Sequence, residues 1–312
     1  MGVHHKTLCF AARAVCDTPR SSKASYMMSE PNSLFDTAAN AAPQSREFGA
    51  VNWMGLRTLY KKEVRRFMKI MPQTLLAPMI SNLLYMLIFV LAFSERRVGG
   101  GGEDFVAFLA PGLVMLGILN NASANTSSSI MQGKLMGSIT DVLVPPLSST
   151  ELALAFIGGG VTRGILVALS TGIGLAVMIP LLNLSDNPPL SITHIWPIIY
   201  FAFSASFMMA MVGVLAGLWA QKFDQLAVVN QFIIMPLSFL SGTFYHIDIL
   251  PPAFEALSRA NPMFYVIDGF RYGFTGMADG NILFGAAFIA VINIILFMAC
   301  LLILRSGWRL KA

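Results

Sequence analysis

Six long apolar runs, at roughly 73–93, 105–130, 152–182, 194–219, 226–244 and 282–304, alternate with short polar segments along the chain. A helix needs about 20 apolar residues to cross about 30 Å of hydrocarbon, and each run approaches or exceeds that length. The runs are continuous and lack the period-two alternation of a membrane β-barrel strand. They predict an all-α polytopic membrane protein with six transmembrane helices. The third run, 31 residues, would extend about 46 Å as helix, more than the hydrocarbon needs. Its excess is expected at the cytoplasmic end, around Gly158–Gly160. Arg163 then falls near the inner boundary, where it can snorkel; a buried functional arginine is the alternative.

The polar segments carry patterns of their own. In "NWMGLRTLYKKEVRRFMKIM" the residues Trp53, Leu56, Tyr60, Val64, Phe67 and Met71 recur every three or four positions, which predicts one apolar stripe on a helix. Lys61, Lys62, Glu63, Arg65 and Arg66 lie elsewhere around it. A basic amphipathic helix just ahead of a span is expected in the headgroup plane, as an anchor or as a contact for a cytoplasmic partner. Between the second and third runs, "MQGKLMGSITDVLV" reads as a short helix with Leu135, Ile139, Val142 and Leu143 on its apolar side. Pro145–Pro146 stops it. Between the fifth and sixth runs, Pro251–Pro252 opens a helix with Phe254 and Leu257 on one side, Asn261–Pro262 ends it, and "MFYVIDGFRYGF" starts another. Each piece is too short to span, which predicts an outer re-entrant helical hairpin. Asp268 and Arg271, three apart, can neutralise each other on one helical face.

Charge fixes the expected direction of threading. With the N-terminus inside, 16 of the 21 Lys and Arg residues fall on cytoplasmic segments, 4 on outer ones and Arg163 within a run. Positive charge favours the cytoplasmic side, so both termini are expected there. The net charge of +5 therefore requires no nucleic acid. Residues 1–48 are polar, Ala/Ser-rich and patternless, an expected disordered extension ahead of a membrane domain at 49–312. "LCFAARAV" makes a poor signal peptide, and a start nearer Met27 or Met54 is an alternative.

Composition narrows the chemistry. Charged residues make up 12% of the chain, against about 25% in an ordinary soluble protein. The three cysteines, Cys9, Cys16 and Cys300, supply no disulfide framework, and Cys9 with Cys16 is at most half a metal site. No phosphate loop, HExxH, GxSxG or CxxC motif occurs, so no catalytic, cofactor-binding or metal residue is expected. The spans hold almost no Asp, Glu or Lys, which counts against an ion- or proton-coupled secondary transporter. Their polar residues are amides and hydroxyls: Asn120, Asn121, Asn125, Thr126, Ser127 to Ser129, Asn230, Gln231 and Asn293. Interhelical hydrogen bonds and a polar substrate path are both open readings of them.

Over residues 53–308 the chain resembles the ABC-2 type permeases, the membrane subunits of bacterial ABC exporters, in the branch of drug-resistance and nodulation-factor exporters. The stretch "PLSFLSGTFYHIDILPPAFEALSRANPMFYVIDGFRYGF" (236–274) carries most of that likeness, with "LYKKEVRRF" and "FLAPGLVML". His246 stands where many relatives are expected to have proline. The resemblance implies that the segment after the second span holds a cytoplasmic coupling helix docking into a separate ATPase subunit, through Lys134, Leu135, Ile139, Asp141, Val142, Pro145 and Pro146. ATP would be used by that partner, and no cofactor would be bound by this chain. It also implies a second permease copy or a paralogue, contact with membrane lipids and a place in the bacterial inner membrane. Export of an amphiphilic, glycolipid, polysaccharide or drug-like substrate would follow, with the hairpin shaping the outer exit. A non-transporting membrane scaffold is the remaining alternative; an adjacent gene for a phosphate-loop ATPase would separate the two.

Overall fold

The structure is a computed structural model that describes residues 51–93, 105–184 and 191–307. The expected disordered stretch 1–48 lies outside them. Among the described residues every regular element is a helix. Helix α1 (Trp53–Met68) is followed by a π-turn at Pro72–Leu76 that runs into α2 (Ala77–Phe93). Then come α3 (Phe105–Leu135), the short α4 (Ile139–Leu143), α5 (Ser149–Leu181) and α6 (Ile195–Trp219). The fifth span is built from α7 (Phe223–Val229), a π-turn (Asn230–Ile234) and α8 (Met235–Leu240). Two sub-spanning helices, α9 (Pro252–Ala260) and α10 (Pro262–Thr275), precede α11 (Ile282–Ser306). Six helical segments among the described residues are long and apolar enough to cross a membrane, in the places the apolar runs predicted.

Local chemistry explains several boundaries. Asn52 Oδ1 accepts the Gly55 amide at 2.9 Å and starts α1. Ser148 and Glu151 form a reciprocal capping box at the start of α5, and Glu151 also accepts the Asn52 amide at 2.5 Å. One carboxylate thus pins the starts of two helices to each other. The side-chain oxygens of Asn261 and Asn281 cap α10 and α11, as that of Asn52 caps α1.

Helix α3 is the hub. Of its most apolar window 83% is buried, against 11% for the fifth span. It packs on α6, α5, α10 and α2, while α1 packs along the first half of α5. The buried side chains form two clusters. One, around Leu109, Leu113, Phe201, Ile267 and Phe270, lies at the end that carries α9 and α10, the hairpin end. The other, around Leu59, Ile139, Phe156, Val214 and Leu304, lies at the end rich in Lys and Arg, the basic end.

At 33 residues, α5 extends about 50 Å, roughly 20 Å beyond the hydrocarbon. Its first turns, the surplus, are the part α1 covers: Asn52 meets Glu151, Tyr60 Oη lies 2.8 Å from Thr162 Oγ1, and Glu63 sits against Gly159. This corrects the expected stripe on α1. The buried face is Leu59, Glu63 and Phe67, whereas Trp53 is 72% exposed and Tyr60 and Met71 are exposed too. Packing against a protein helix, rather than lipid alone, selects the face.

Candidate functional site

At the basic end, α3 runs on through its polar stretch to Leu135, and Gly137 then turns the chain with φ 69°. A left-handed residue just past a helix end is where glycine avoids the Cβ penalty. The break puts Leu135 and Ile139 on different helices, so the expected continuous apolar side does not form. Ile139 is buried in the core cluster and Val142 packs against it. Leu135 stays 57% exposed, Met136 71% and Val144 81%, with Asp141, Pro145 and Pro146 also in the open. Met136 and Val144 escaped the sequence reading, although Gly137 was the signal that could have found them. Asn52 Nδ2 donates to the Pro146 carbonyl at 3.5 Å, which brings exposed Trp53 and Met54 to the same end.

Lys134 also departs from expectation. It does not face outward: its ammonium is buried and donates to Gly217 O at 2.9 Å, Leu218 O at 2.6 Å and Ala220 O at 3.1 Å. These are carbonyls at the C-terminus of α6, where helical acceptors lack intrahelical partners and a cation is favoured by the dipole.

Of the α1 residues singled out, Lys61, Lys62 and Arg65 are exposed, and Glu63 and Arg66 turn inward. Glu63 is fully buried with Arg66 Nε 3.4 Å from its Oε2. Arg66 Nη2 reaches across to α3, donating to Asn125 O at 2.8 Å and Asn125 Oδ1 at 2.9 Å. Arg163 joins the cluster from α5, its Nη2 donating to Asn121 Oδ1 at 3.1 Å. So the asparagines of the second span hold arginines from two other helices. Snorkelling does not describe Arg163, whose Nε is buried without a hydrogen-bond partner.

At the hairpin end, α9 leaves Phe254 and Leu257 exposed while α10 is sunk into the bundle. Pro252 opens α9 after Pro251, and Pro262 opens α10 after Asn261. Asn261 Nδ2 donates to Leu237 O at 2.9 Å and to Ser241 Oγ at 2.8 Å, tying the step between the two helices to the fifth span.

Asp268 and Arg271 have different work. Both carboxylate oxygens of Asp268 accept backbone amides, from Asp279 at 2.9 Å and Gly280 at 3.0 Å. Arg271 Nη2 donates to Gly242 O at 2.7 Å and Nε to Phe108 O at 3.3 Å, with the guanidinium 3.6 Å from the Phe108 ring centroid. Its Nη1 lies 4.0 Å from Asp279 Oδ2, and Asp279 Oδ1 lies 2.9 Å from His246 Nδ1. Asp279, absent from the sequence reading, is the carboxylate that gathers the network. It sits in a connecting turn with no periodic signal to mark it.

Burial pushes the Asp268 carboxyl up to about 6, against the opposing pull of the Asp279 amide and Arg271. Burial also opposes ionisation of Asp279, but the hydrogen bond and charge of His246, with Arg271 and Arg259, outweigh it and hold Asp279 below the usual carboxylate range. A raised folded-state carboxyl favours the protonated form. Its stabilising contribution is therefore complete below the ordinary carboxylate range and lost as pH rises through about 6. The Asp279 contribution runs the other way and disappears only in stronger acid. Melting of the detergent-solubilised protein should thus shift to lower temperature between about pH 4 and about pH 6. Asp268→Asn should flatten that slope; an unchanged slope in the variant would show that another group sets it.

The ABC-2 type transporter family model matches residues 54–275. The chain is 32% identical over 262 residues to the "Inner membrane transport permease YadH" of Escherichia coli (strain K12), covering 83% of this chain and 98% of that protein. It is 23% identical over 206 residues to "Nodulation protein J" of Rhizobium leguminosarum bv. viciae, covering 65% of this chain and 76% of the relative. The protein of the same description from Neorhizobium galegae is 21% identical over 229 residues. With that family match over most of the chain and 32% identity across nearly the whole of a transport permease, the chain belongs to the ABC-2 type transporter family as a transport permease.

Proposed function

We propose that this permease is the transmembrane subunit of a bacterial ATP-driven exporter in the inner membrane, with both termini cytoplasmic and energised by a separate ATPase subunit. The observation that carries the reading is the exposed apolar knuckle of Leu135, Met136 and Val144, beside Pro145–Pro146. It lies at and just beyond the last turn of the second span, at the end where Lys and Arg concentrate, where a partner protein accounts for it better than lipid. Exposed apolar side chains close along the chain to an exposed carboxylate, Asp141, suit a partner's groove.

The second partner is a further permease copy or a paralogue. The fifth span is only 11% buried, yet it carries Asn230 and Gln231 in its π-turn. Polar groups on so bare a span call for protein or a translocated solute rather than hydrocarbon. π-Turns inside helices recur at functional sites. An amphiphilic, glycolipid, polysaccharide or drug-like substrate fits a path between two such spans. Next to it in chemistry is the apolar groove of about 470 Å³ between α5, α6 and α10, lined by Leu169, Ile173, Ile199, Phe203 and Phe274.

Leu135→Ser combined with Met136→Ser tests the reading by pull-down from detergent. The variant should be extracted as an intact permease, because both side chains are exposed, and should lose its ATPase. Ile139→Ser, which breaks the core instead, should lower the yield of the permease itself. An ATPase retained at wild-type level by the double variant would return the knuckle to an ordinary loop.

A further inference from the structure

Lys134 ties the end of the second span to the end of the fourth at the point where the chain leaves both. Along the membrane the two helices are held together by close contact: a Cβ on Gly217 would lie 3.0 Å from Ser127 O and 3.1 Å from Ile130 Cβ. Beyond Gly217, over the last turn, the ammonium of Lys134 takes over. It grips Gly217 O, Leu218 O and Ala220 O from a side chain that is 9% exposed. Three N–H donors meet carbonyls that a helix terminus leaves free, at the negative end of the α6 dipole.

The two sides of this clamp lead to different places. On the α3 side the exposed knuckle begins at the next residue, Leu135, and Gly137 and α4 lie between its two parts. On the α6 side, Gln221 and Lys222 lead directly into Phe223 and the fifth span, the least buried of the six among the described residues. Gln221 N donates to Gln225 Oε1 at 2.7 Å, so the connection is itself folded onto the start of α7. A push on the knuckle therefore meets a continuous hydrogen-bonded joint to the span that carries Asn230 and Gln231.

We propose that Lys134 is the positioning residue that joins the ATPase-facing knuckle to the fifth span, so that the two are displaced as one body. This rests on the ATPase reading above, and the test separates the two. Spin labels at Thr140 and Gln221, both exposed, are placed in a chain whose own cysteines are replaced, and their distance distribution is measured without nucleotide and after trapping with ATP and vanadate. In the parent chain the distance should stay narrow and unchanged by trapping. Lys134→Met should broaden it roughly twofold and make it respond to trapping, because the carbonyls lose their donor. Lys134→Arg, which keeps charge and donors, should restore the narrow distribution.

A parent distance that shifts on trapping would overturn the proposal, and so would a Lys134→Met distribution as narrow as the parent's. ATPase co-purification is followed in parallel. Loss of the ATPase from Lys134→Met alone would make Lys134 a docking residue and overturn the clamp. An ATPase that fails to co-purify even with the parent chain would overturn the docking reading; the nucleotide-free distances would still decide the clamp.

Discussion

Arg271→Met should unfasten the hairpin end of the permease. Arg271 is 4% exposed, and its guanidinium joins pieces of chain that are far apart in sequence: Gly242 after the fifth span, Phe108 in α3 and Asp279 before α11. Methionine fills much of the volume but donates nothing, leaving two carbonyls and the Asp279 carboxylate in a dry site. Removing one partner of a buried charged network costs about 3–5 kcal/mol, because the remaining groups stay desolvated. The buried thiol of Cys300 offers a readout through its reaction with a thiol dye on heating, in a chain with Cys9 and Cys16 replaced by serine. The variant should unmask Cys300 many degrees below the parent. The charge exchange, Asp268→Arg together with Arg271→Asp, should be no more stable than either single substitution. The Asp268 carboxylate accepts the amides of Asp279 and Gly280, a task no arginine can perform. Rescue by the exchange would mean that the two residues act as the simple pair their spacing suggested.

What the sequence made legible follows from which forces leave a one-dimensional trace. The six spans were readable because the bilayer demands uninterrupted apolar length, and their observed limits fall close to the expected ones. The α9–α10 step was readable because proline and asparagine act locally on the backbone. The far end of α3 was not. Asn120 to Ser129 lower its hydropathy, and nothing in the sequence says that those amides are held by Arg66 and Arg163 from other helices. Glu63 looked like a solvated member of a charged face, yet it is fully buried because Gly159 on α5 leaves room for it. Lys134 misled for a related reason: the resemblance placed it among the docking residues, and only the neighbouring helix end reveals its acceptors. Residue type and spacing report what one helix wants; the partner's geometry decides which side chains answer.

The largest loss of fold expected from the smallest change is Gly213→Ala. Lipid offers no hydrophobic reward for bringing helices together, so close approach of small residues must hold them. At the centre of this bundle α3, α5 and α6 meet around Thr126. Its hydroxyl donates to Ala210 O at 2.8 Å, and a Cβ on Gly160 would lie 2.8 Å from Thr126 Cγ2 and from Ala210 Cβ. A Cβ on Gly213 would collide with Thr126 Oγ1 and with the Ser123 carbonyl. The second obstacle is backbone, so no rotamer change relieves it; α6 must move off α3 and Thr126 must lose its bond. Overpacking of a core typically costs 1–3 kcal/mol, and a clash against main chain should sit at or above about 3 kcal/mol. Gly172 supplies the control: it lines the apolar groove, and a Cβ there meets nothing within 4 Å. Gly172→Ala should therefore elute from size exclusion like the parent. Gly213→Ala should shift most of the extracted protein into aggregate. Equal, parent-like profiles for the two variants would show that α3 and α6 have slack at this crossing, and the close-packed hub would then have to be abandoned.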